Sequence, residues 1–131
     1  MFDKINVLVV EDHLEVLDTM VFLLKRAGCS VVSAQTGNQG MALAQDGNFD
    51  LITLDIDLPG ISGFEICRRL KQDARLRQTP VIFVSGRACD EDLRLGFEMG
   101  AADYITKPFD ALAFVPRLLS RLKPVQPLLP S

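Results

Sequence analysis

Short apolar runs alternate with longer amphipathic segments along the chain. Five runs have the length and the continuous hydrophobicity of strands that are buried on both faces of a parallel sheet. They cover residues 5–10, 31–34, 51–54, 81–84 and 104–106. Each is followed by a segment with apolar residues at helical spacing, over residues 14–27, 36–46, 64–72, 90–99 and 110–122. The pattern predicts five βα units.

Five βα units joined by right-handed crossovers predict a doubly wound α/β fold with helices on both faces of one sheet. Of the two common strand orders in such folds, the order 2-1-3-4-5 fits five strands better. In that order the first and third strands are neighbours. The ligand-binding crevice of the fold then opens between their carboxyl ends.

Charged residues directly follow three of the predicted strands. Glu11 and Asp12 come after the first strand, Asp55 after the third, and Lys107 after the fifth. Because the carboxyl ends of parallel strands meet at one edge, these groups are expected to converge. Packed carboxylates repel one another unless a cation joins them, and oxygen ligands suit Mg²⁺. We therefore predict Asp12 and Asp55 as direct magnesium ligands, with Glu11 binding directly or through water.

Asp55 also has the chemistry of a nucleophile. A carboxylate can form an aspartyl phosphate, and a metal ion reduces its repulsion toward an incoming phosphoryl group. Lys107 can pair with a phosphoryl oxygen, and Ser85, at the end of the fourth strand, can donate a hydroxyl hydrogen bond. Each residue alone has an ordinary solvated interpretation. Their joint placement at strand ends is what indicates a phosphoryl site.

Four segments resemble the receiver domain of two-component response regulators, over residues 5–122. They are Val9-Val10-Glu11-Asp12, the run from Leu54 to Gly63 (LDIDLPGISG), Val84-Ser85-Gly86, and the run from Gly100 to Phe109 (GAADYITKPF). The resemblance implies a flavodoxin-like (βα)5 three-layer sandwich. It also implies that Asp55 accepts a phosphoryl group from a phosphohistidine of a sensor kinase or phosphotransfer protein.

The resemblance assigns a complete set of metal ligands. Glu11, Asp12, Asp55 and the backbone carbonyl of Asp57 are expected to hold Mg²⁺, with Mn²⁺ as a possible substitute. Such a domain is a signalling module rather than an enzyme, because its only chemistry is phosphoryl transfer onto itself and autodephosphorylation.

The resemblance also implies a conformational switch. Ser85 is the switch hydroxyl, Tyr104 is the switch aromatic, and the Lys107–Pro108 peptide bond is often cis. Phosphorylation is expected to shift a population toward a state in which Ser85 approaches the phosphoryl group and Tyr104 turns inward. The surface that reports this change is formed by residues 90–99, 103–106 and 110–122.

Two charged residues flank the predicted phosphorylation site. Asp57 lies two residues after Asp55, and Arg87 lies two residues after Ser85. We hypothesise that they form an ion pair across the mouth of the site and slow the attack of water on the acyl phosphate. The alternative is two solvated side chains, because exposed ion pairs contribute little.

Pro116 lies inside the last predicted helix. It removes the hydrogen bond to the Leu112 carbonyl, so it is expected to kink the helix or displace its start. Many receivers dimerise through this face, and Pro116 therefore puts a dimer of that kind in question for this chain.

Composition narrows the partners and the location. The net charge of -3 and the lack of a basic stripe argue against direct nucleic-acid binding by this segment. The N-terminus does not resemble a signal peptide, and no apolar run has membrane-spanning length. The 3 cysteines have no CxxC spacing, so reduced thiols in a cytoplasmic protein are expected. Residues 1–122 are predicted to be the domain, and the proline-rich residues 123–131 a tail or linker.

Three other functions are open to this sequence. Asp55-Ile56-Asp57 also resembles the haloacid-dehalogenase phosphatase signature, but that family places it on the first strand, with Thr or Val where Pro59 stands here. A flavodoxin-like cofactor binder needs a phosphate-cradling loop where this chain has two acids. A degenerate receiver that only binds partners is disfavoured because the acids, Ser85 and Lys107 are all present. The sequence leaves open a stand-alone receiver or a fragment of a hybrid histidine kinase or larger regulator, and it identifies neither kinase, stimulus nor output target.

Overall fold

The computed structural model describes residues 4–122, which form one parallel five-stranded sheet with helices on both faces. The strands are β1 (Asn6–Val10), β2 (Ser30–Ala34), β3 (Leu51–Leu54), β4 (Val81–Ser85) and β5 (Asp103–Thr106). The helices are α1 (Leu14–Arg26), α2 (Gly37–Asp46), α3 (Gly63–Gln72), α4 (Asp90–Glu98) and α5 (Ala111–Leu119). The order of the strands is β2-β1-β3-β4-β5, which confirms the predicted fold.

Apolar side chains form a layer on each side of the sheet. Val7 and Val9 of β1 face the layer that α1 and α5 cover, and Leu8 and Val10 face the layer beneath α2 and α3. All four are buried. Because helices cover both faces, a strand here is apolar at consecutive positions instead of alternating with polar ones.

Two side-chain caps and one glycine satisfy the ends of three helices. Thr36 caps α2, since its hydroxyl oxygen accepts a hydrogen bond from the Gln39 N–H at 3.1 Å. Asp110 caps α5 by accepting from the Leu112 N–H at 2.9 Å. Gly28 ends α1 with a φ of 93°, and its own N–H donates to the Lys25 carbonyl. A glycine suits this left-handed position because it has no Cβ.

Pro116 does not displace the start of α5. The helix begins at Ala111, directly after its Asp110 cap, and continues through Pro116. The carbonyl that loses its helical donor belongs to Leu112, whose residue is 89% exposed, so water can satisfy it. The helix ends at Leu119, three residues before the predicted end, because the N–H groups of Arg121 and Leu122 donate to carbonyls only three residues back.

Asp103 ties α5 to the edge strand β5. Its buried carboxylate accepts hydrogen bonds from Arg117 Nε at 2.8 Å and Arg117 Nη2 at 2.9 Å, and from Arg121 Nε at 3.3 Å. Burial alone would raise the pKa of Asp103, but the hydrogen bonds from Arg117 hold that pKa below its ordinary value. Arg117 and Arg121 thus hold the chain after Pro116 to the sheet, while Asp110 caps the start of the helix before it.

Within residues 4–122, none of the helices combines the length and the hydrophobicity that crossing a membrane requires. The predicted tail, residues 123–131, lies outside the described residues.

Thr53, at the centre of β3, yields a test of core packing. It is 0% exposed and lies between Val9 of β1 and Ile82 of β4, and its hydroxyl has no hydrogen-bond partner among the described residues. Thr53→Val removes the unpaired hydroxyl and keeps the shape, so it should raise the free energy of unfolding by about 1 kcal/mol. Urea denaturation measures this, with Val9→Thr as the matched opposite change. A destabilised Thr53→Val protein would contradict the assignment.

Candidate functional site

The acidic cluster lies where β1 and β3 end side by side. Val10 pairs with Leu54 in the sheet, and the N–H of Asp55 still donates to the Val10 carbonyl at 3.0 Å. The strand ladder therefore fixes the next residues, Glu11 and Asp55, as neighbours. Together with Asp12 they offer three carboxylate oxygens that lie within 4.8 Å of one another. The structure brings the three predicted acidic ligands together.

Glu11 is the most deeply buried member of this cluster. Its residue is 1% exposed, its Oε1 lies 2.5 Å from Lys107 Nζ, and its Oε2 accepts from the His13 N–H at 3.1 Å. Burial raises the pKa of Glu11 above its ordinary value, because the charged form loses hydration. The ion pair with Lys107 opposes this rise in pKa, because it places a positive charge beside the buried carboxylate.

Lys107 joins the two buried acids. Its Nζ lies 3.1 Å from Asp55 Oδ2 as well as against Glu11. Burial alone would lower the pKa of Lys107, but the hydrogen bond to Glu11 and the charge of Asp55 raise it above its ordinary value. The lysine reaches this position because its N–H continues the sheet by donating to the Ser85 carbonyl at 2.9 Å. The peptide bond that follows it, Lys107–Pro108, is cis, as the resemblance implies.

The donor set fits a small hard cation. All three side chains offer oxygen, which Mg²⁺ prefers, and Asp12 is exposed enough to leave room for bound water. Glu11 Oε1 is buried, and within residues 4–122 the Lys107 ammonium is its one polar contact. One lysine does not neutralise three carboxylates, so a divalent ion would complete the charge balance. The Asp57 residue, whose carbonyl is the fourth predicted ligand, follows Asp55 by two positions in the same loop.

The two carboxylate oxygens of Asp55 have different partners, a backbone N–H for one and the Lys107 ammonium for the other. It is 6% exposed, its Oδ1 accepts from the Ile56 N–H at 2.7 Å, and its Oδ2 contacts Lys107. These contacts fix the side chain in one orientation at the crevice. A carboxylate that is held in one orientation in a largely buried site suits the role of a nucleophilic aspartate.

Ser85 and Tyr104 are connected through the backbone of Arg87. The Ser85 hydroxyl, 0% exposed, accepts from the Arg87 N–H at 3.2 Å, and the Tyr104 hydroxyl donates to the Arg87 carbonyl at 2.7 Å. Burial raises the pKa of Tyr104. The ring packs against Phe83 and is 4% exposed, so the structure has it in the inward position that the switch hypothesis assigns to the phosphorylated conformation.

The Asp57–Arg87 ion pair is present in the structure. Arg87 Nη2 lies 2.7 Å and Arg87 Nε 3.0 Å from Asp57 Oδ1. The hydrogen bonds from Arg87 lower the pKa of Asp57. Both side chains are about half exposed, at 47% for Arg87 and 60% for Asp57, so the pair contributes little to stability.

The sequence-based predictions do not include the contacts of Arg87 with Ser85, Tyr104 and Asp92. The Arg87 backbone links the two switch residues, and its Nη1 also lies 3.9 Å from Asp92 Oδ1 on α4. No motif marks a backbone contact. The acidic first turn of α4 (Asp90, Glu91, Asp92), three residues beyond Arg87, was a visible indication that this arginine has a second acidic neighbour.

Comparisons with known proteins agree with this geometry. The family model of the response regulator receiver domain matches residues 7–119. The DNA-binding dual master transcriptional regulator RpaA of Synechocystis is 37% identical over 118 residues, which are 90% of this chain and 49% of that protein. The chain spans about half the length of the curated relatives it matches.

Solved structures are similar over the whole fold. The chemotaxis response regulator CheY4 of Vibrio cholerae has a TM-score of 0.87 at 27% identity, over 92% of this chain and 100% of that chain. The receiver domain of the sensor histidine kinase PA1611 from Pseudomonas aeruginosa has a TM-score of 0.83 at 26% identity, over 92% of this chain and 98% of that chain. That receiver has a magnesium ion coordinated in its active-site cleft. With its family match, its strand order and its acidic crevice, the chain belongs to the response regulator receiver domain family.

Proposed function

We propose that the chain is a phosphoacceptor in a two-component phosphorelay, and that Asp55 takes a phosphoryl group from a phosphohistidine of a sensor kinase or phosphotransfer protein. The observation that carries the proposal is the buried Asp55 carboxylate, held by Lys107 and grouped with Glu11 and Asp12 within 4.8 Å. The chemistry needs a nucleophile, a cation site and a phosphoryl partner together, and this crevice has all three.

In the transfer step an Asp55 carboxylate oxygen attacks phosphorus. The bond from phosphorus to the donor histidine nitrogen breaks, and the nitrogen keeps the electron pair. Mg²⁺ (or Mn²⁺), when held by Glu11, Asp12, Asp55 and the Asp57 carbonyl, supplies positive charge that offsets the repulsion between carboxylate and phosphoryl group. Lys107 Nζ, 3.1 Å from Asp55 Oδ2, lies within reach of the phosphoryl oxygens that this carboxylate would carry.

The donor has space to approach beside Lys107. A groove of about 460 Å³ opens there between α1 and the residues that follow β5, lined in part by Val16, Thr19, Pro108 and Phe109. Mostly apolar walls that open to solvent beside a charged crevice give a protein donor a surface to pack against. A phosphohistidine presented by a protein is therefore the substrate that we favour.

Phosphorylation then shifts a conformational population. The Ser85 hydroxyl donates to the phosphoryl group, and Tyr104 occupies the inward position, where it binds the Arg87 carbonyl. Because α4 follows this loop and α5 is anchored to β5, the change reports at the α4-β5-α5 surface. The state of that surface is the output of the domain.

The surroundings of Asp57 argue against the phosphatase alternative. A second aspartate that acts as general acid must carry a proton near neutral pH, but Arg87 lowers the pKa of Asp57 and holds its carboxylate in an exposed ion pair. The motif also follows the third strand rather than the first.

Relatives with twice the length include DNA-binding regulators, and PA1611 is a kinase with a receiver. We propose the same two contexts for this chain, a larger regulator or, as the alternative, a hybrid kinase.

Acetyl phosphate tests the phosphoacceptor directly. With Mg²⁺ present, intact-mass analysis should show one phosphoryl group added to the wild-type protein and none added to Asp55→Asn, because the amide is not a nucleophile. Chelating the metal with EDTA should abolish labelling. Asp46→Asn, an exposed aspartate at the end of α2, is the matched control and should label normally. Labelling of Asp55→Asn, or an unlabelled wild-type protein, would count against the proposal.

We further propose that the Asp57–Arg87 pair prolongs the phosphorylated state by restricting the approach of water. Asp57→Ala and Arg87→Ala should each shorten the half-life of the acyl phosphate by about 1.4- to five-fold, the kinetic equivalent of an exposed ion pair worth about 0.2–1 kcal/mol. The double variant should be no faster than either single one. Phosphate release after removal of the donor measures the rate.

Arg94→Ala is the control for the loss of an exposed arginine, since Arg94 pairs only loosely with Glu98, at 3.9 Å, on α4. Its half-life should equal that of the wild-type protein. Unchanged half-lives in Asp57→Ala and Arg87→Ala would show that the pair has no part in hydrolysis.

A further inference from the structure

The loop that follows Asp55 is anchored in the core by its first and third residues. We define it as residues 56–62, the β3–α3 loop. Ile56 and Leu58 are buried at 2% and 8% exposure, while Asp57 between them is exposed. The Ile56 carbonyl accepts two hydrogen bonds, from the Leu58 N–H at 3.0 Å and the Gly63 N–H at 2.9 Å. The peptide that carries the Asp57 carbonyl is therefore held within a tight turn.

On one side, α3 approaches the start of this loop without any space for a side chain. A Cβ added at Gly63 would lie 2.1 Å from the Asp55 carbonyl oxygen and 2.9 Å from Ile56 Cα. Both contacts are to backbone, which cannot rotate away. The first turn of α3 thus fixes the backbone of the phosphoacceptor residue.

On the other side, α2 holds the end of the loop in the same way. The Gly37 N–H donates to the Pro59 carbonyl at 3.2 Å. A Cβ added at Gly37 would lie 2.3 Å from the Ile61 carbonyl oxygen and 3.1 Å from its carbonyl carbon. The backbone around Gly37 is held in place, because Thr36 caps the helix and the Gln35 N–H donates a hydrogen bond to Gln39 Oε1 at 3.1 Å.

From this contact we infer that Gly37, on α2, is a positioning residue for the magnesium site, acting through the β3–α3 loop on the Asp57 carbonyl. The inference rests on the proposed function, in which that carbonyl is a ligand. Mg²⁺ demands near-ideal octahedral geometry at about 2.0–2.1 Å, so its affinity falls when one ligand moves. A methyl group at Gly37 can be accommodated only if the Ile61 carbonyl retreats, by about 1 Å for an ordinary contact. Pro59, whose carbonyl accepts the Gly37 hydrogen bond, then moves together with the Ile61 carbonyl.

The test compares alanine at the two ends of α2. Isothermal titration of the whole chain with MgCl₂ should give a dissociation constant about tenfold higher for Gly37→Ala than for the wild-type protein, the lower end of the effect of losing a supporting contact around a metal site. Gly47→Ala is the matched control. It lies at the opposite end of the same helix, where an added Cβ would meet the Phe49 ring at 2.7 Å and not the loop. Its dissociation constant should equal the wild-type value.

Acetyl phosphate labelling adds a readout that general loss of stability would not imitate. Gly37→Ala should need about tenfold more Mg²⁺ for half-maximal rate and reach the wild-type rate at saturation. Equal affinities in wild type and a folded Gly37→Ala protein would overturn the inference, as would equal weakening in Gly47→Ala. A wild-type protein that binds no Mg²⁺ would instead overturn the proposed function.

Hydrogen exchange of the wild-type protein covers the case in which Gly37→Ala does not fold. If the loop couples Gly37 to the metal, binding must tighten the Gly37 N–H to Pro59 hydrogen bond in return, because coupling between sites is reciprocal. Mg²⁺ should then slow exchange of the Gly37 amide and leave the Gly47 amide unchanged. An unchanged Gly37 amide at saturating Mg²⁺ would overturn the inference.

Discussion

The functional edge of this sheet carries an excess of negative charge, because three carboxylates and only one lysine meet there. Glu11 and Asp55 are nearly dry, and only Lys107 lies between them. Burial of like charges is costly in a low-dielectric site, so the cluster is stable only with added positive charge. That requirement explains why the crevice suits a divalent cation and why one lysine contacts both acids.

The crevice is connected to the apolar layer that contains Tyr104 by the loop after β4. The acids and Lys107 follow β1, β3 and β5, whereas Tyr104 packs with Phe83 in the apolar layer beneath α2 and α3. Arg87 joins the two groups. Its side chain contacts Asp57 at the mouth of the crevice, and its backbone contacts both Ser85 and Tyr104. In the proposed switch, this short loop is the connection between the crevice and the α4-β5-α5 surface.

Close backbone contacts give the crevice its precision. The loop after Asp55 lies between the first turns of α2 and α3, and glycines occupy both contact points. Helices that the sequence identifies as ordinary covering elements are in this way part of the site. Pro116 shows the converse, because a residue expected to disturb α5 lies on its exposed surface and leaves its start unchanged, while Asp103 and Arg117 hold the helix to the sheet.

The sequence by itself determined the five βα units, the strand order and the residues of the crevice. Apolar runs ending in Glu11, Asp55 and Lys107 carry that information locally, since parallel strands bring their carboxyl ends to one edge. The caps at Thr36 and Asp110 are also local, because each side chain accepts a hydrogen bond from an N–H only two or three residues ahead. Only the tertiary structure decided that Lys107 bridges Glu11 and Asp55, that Tyr104 is inward, and that Gly37 bears on the Ile61 carbonyl. These contacts join residues far apart in the chain or involve backbone atoms, and side-chain identity and spacing do not encode them.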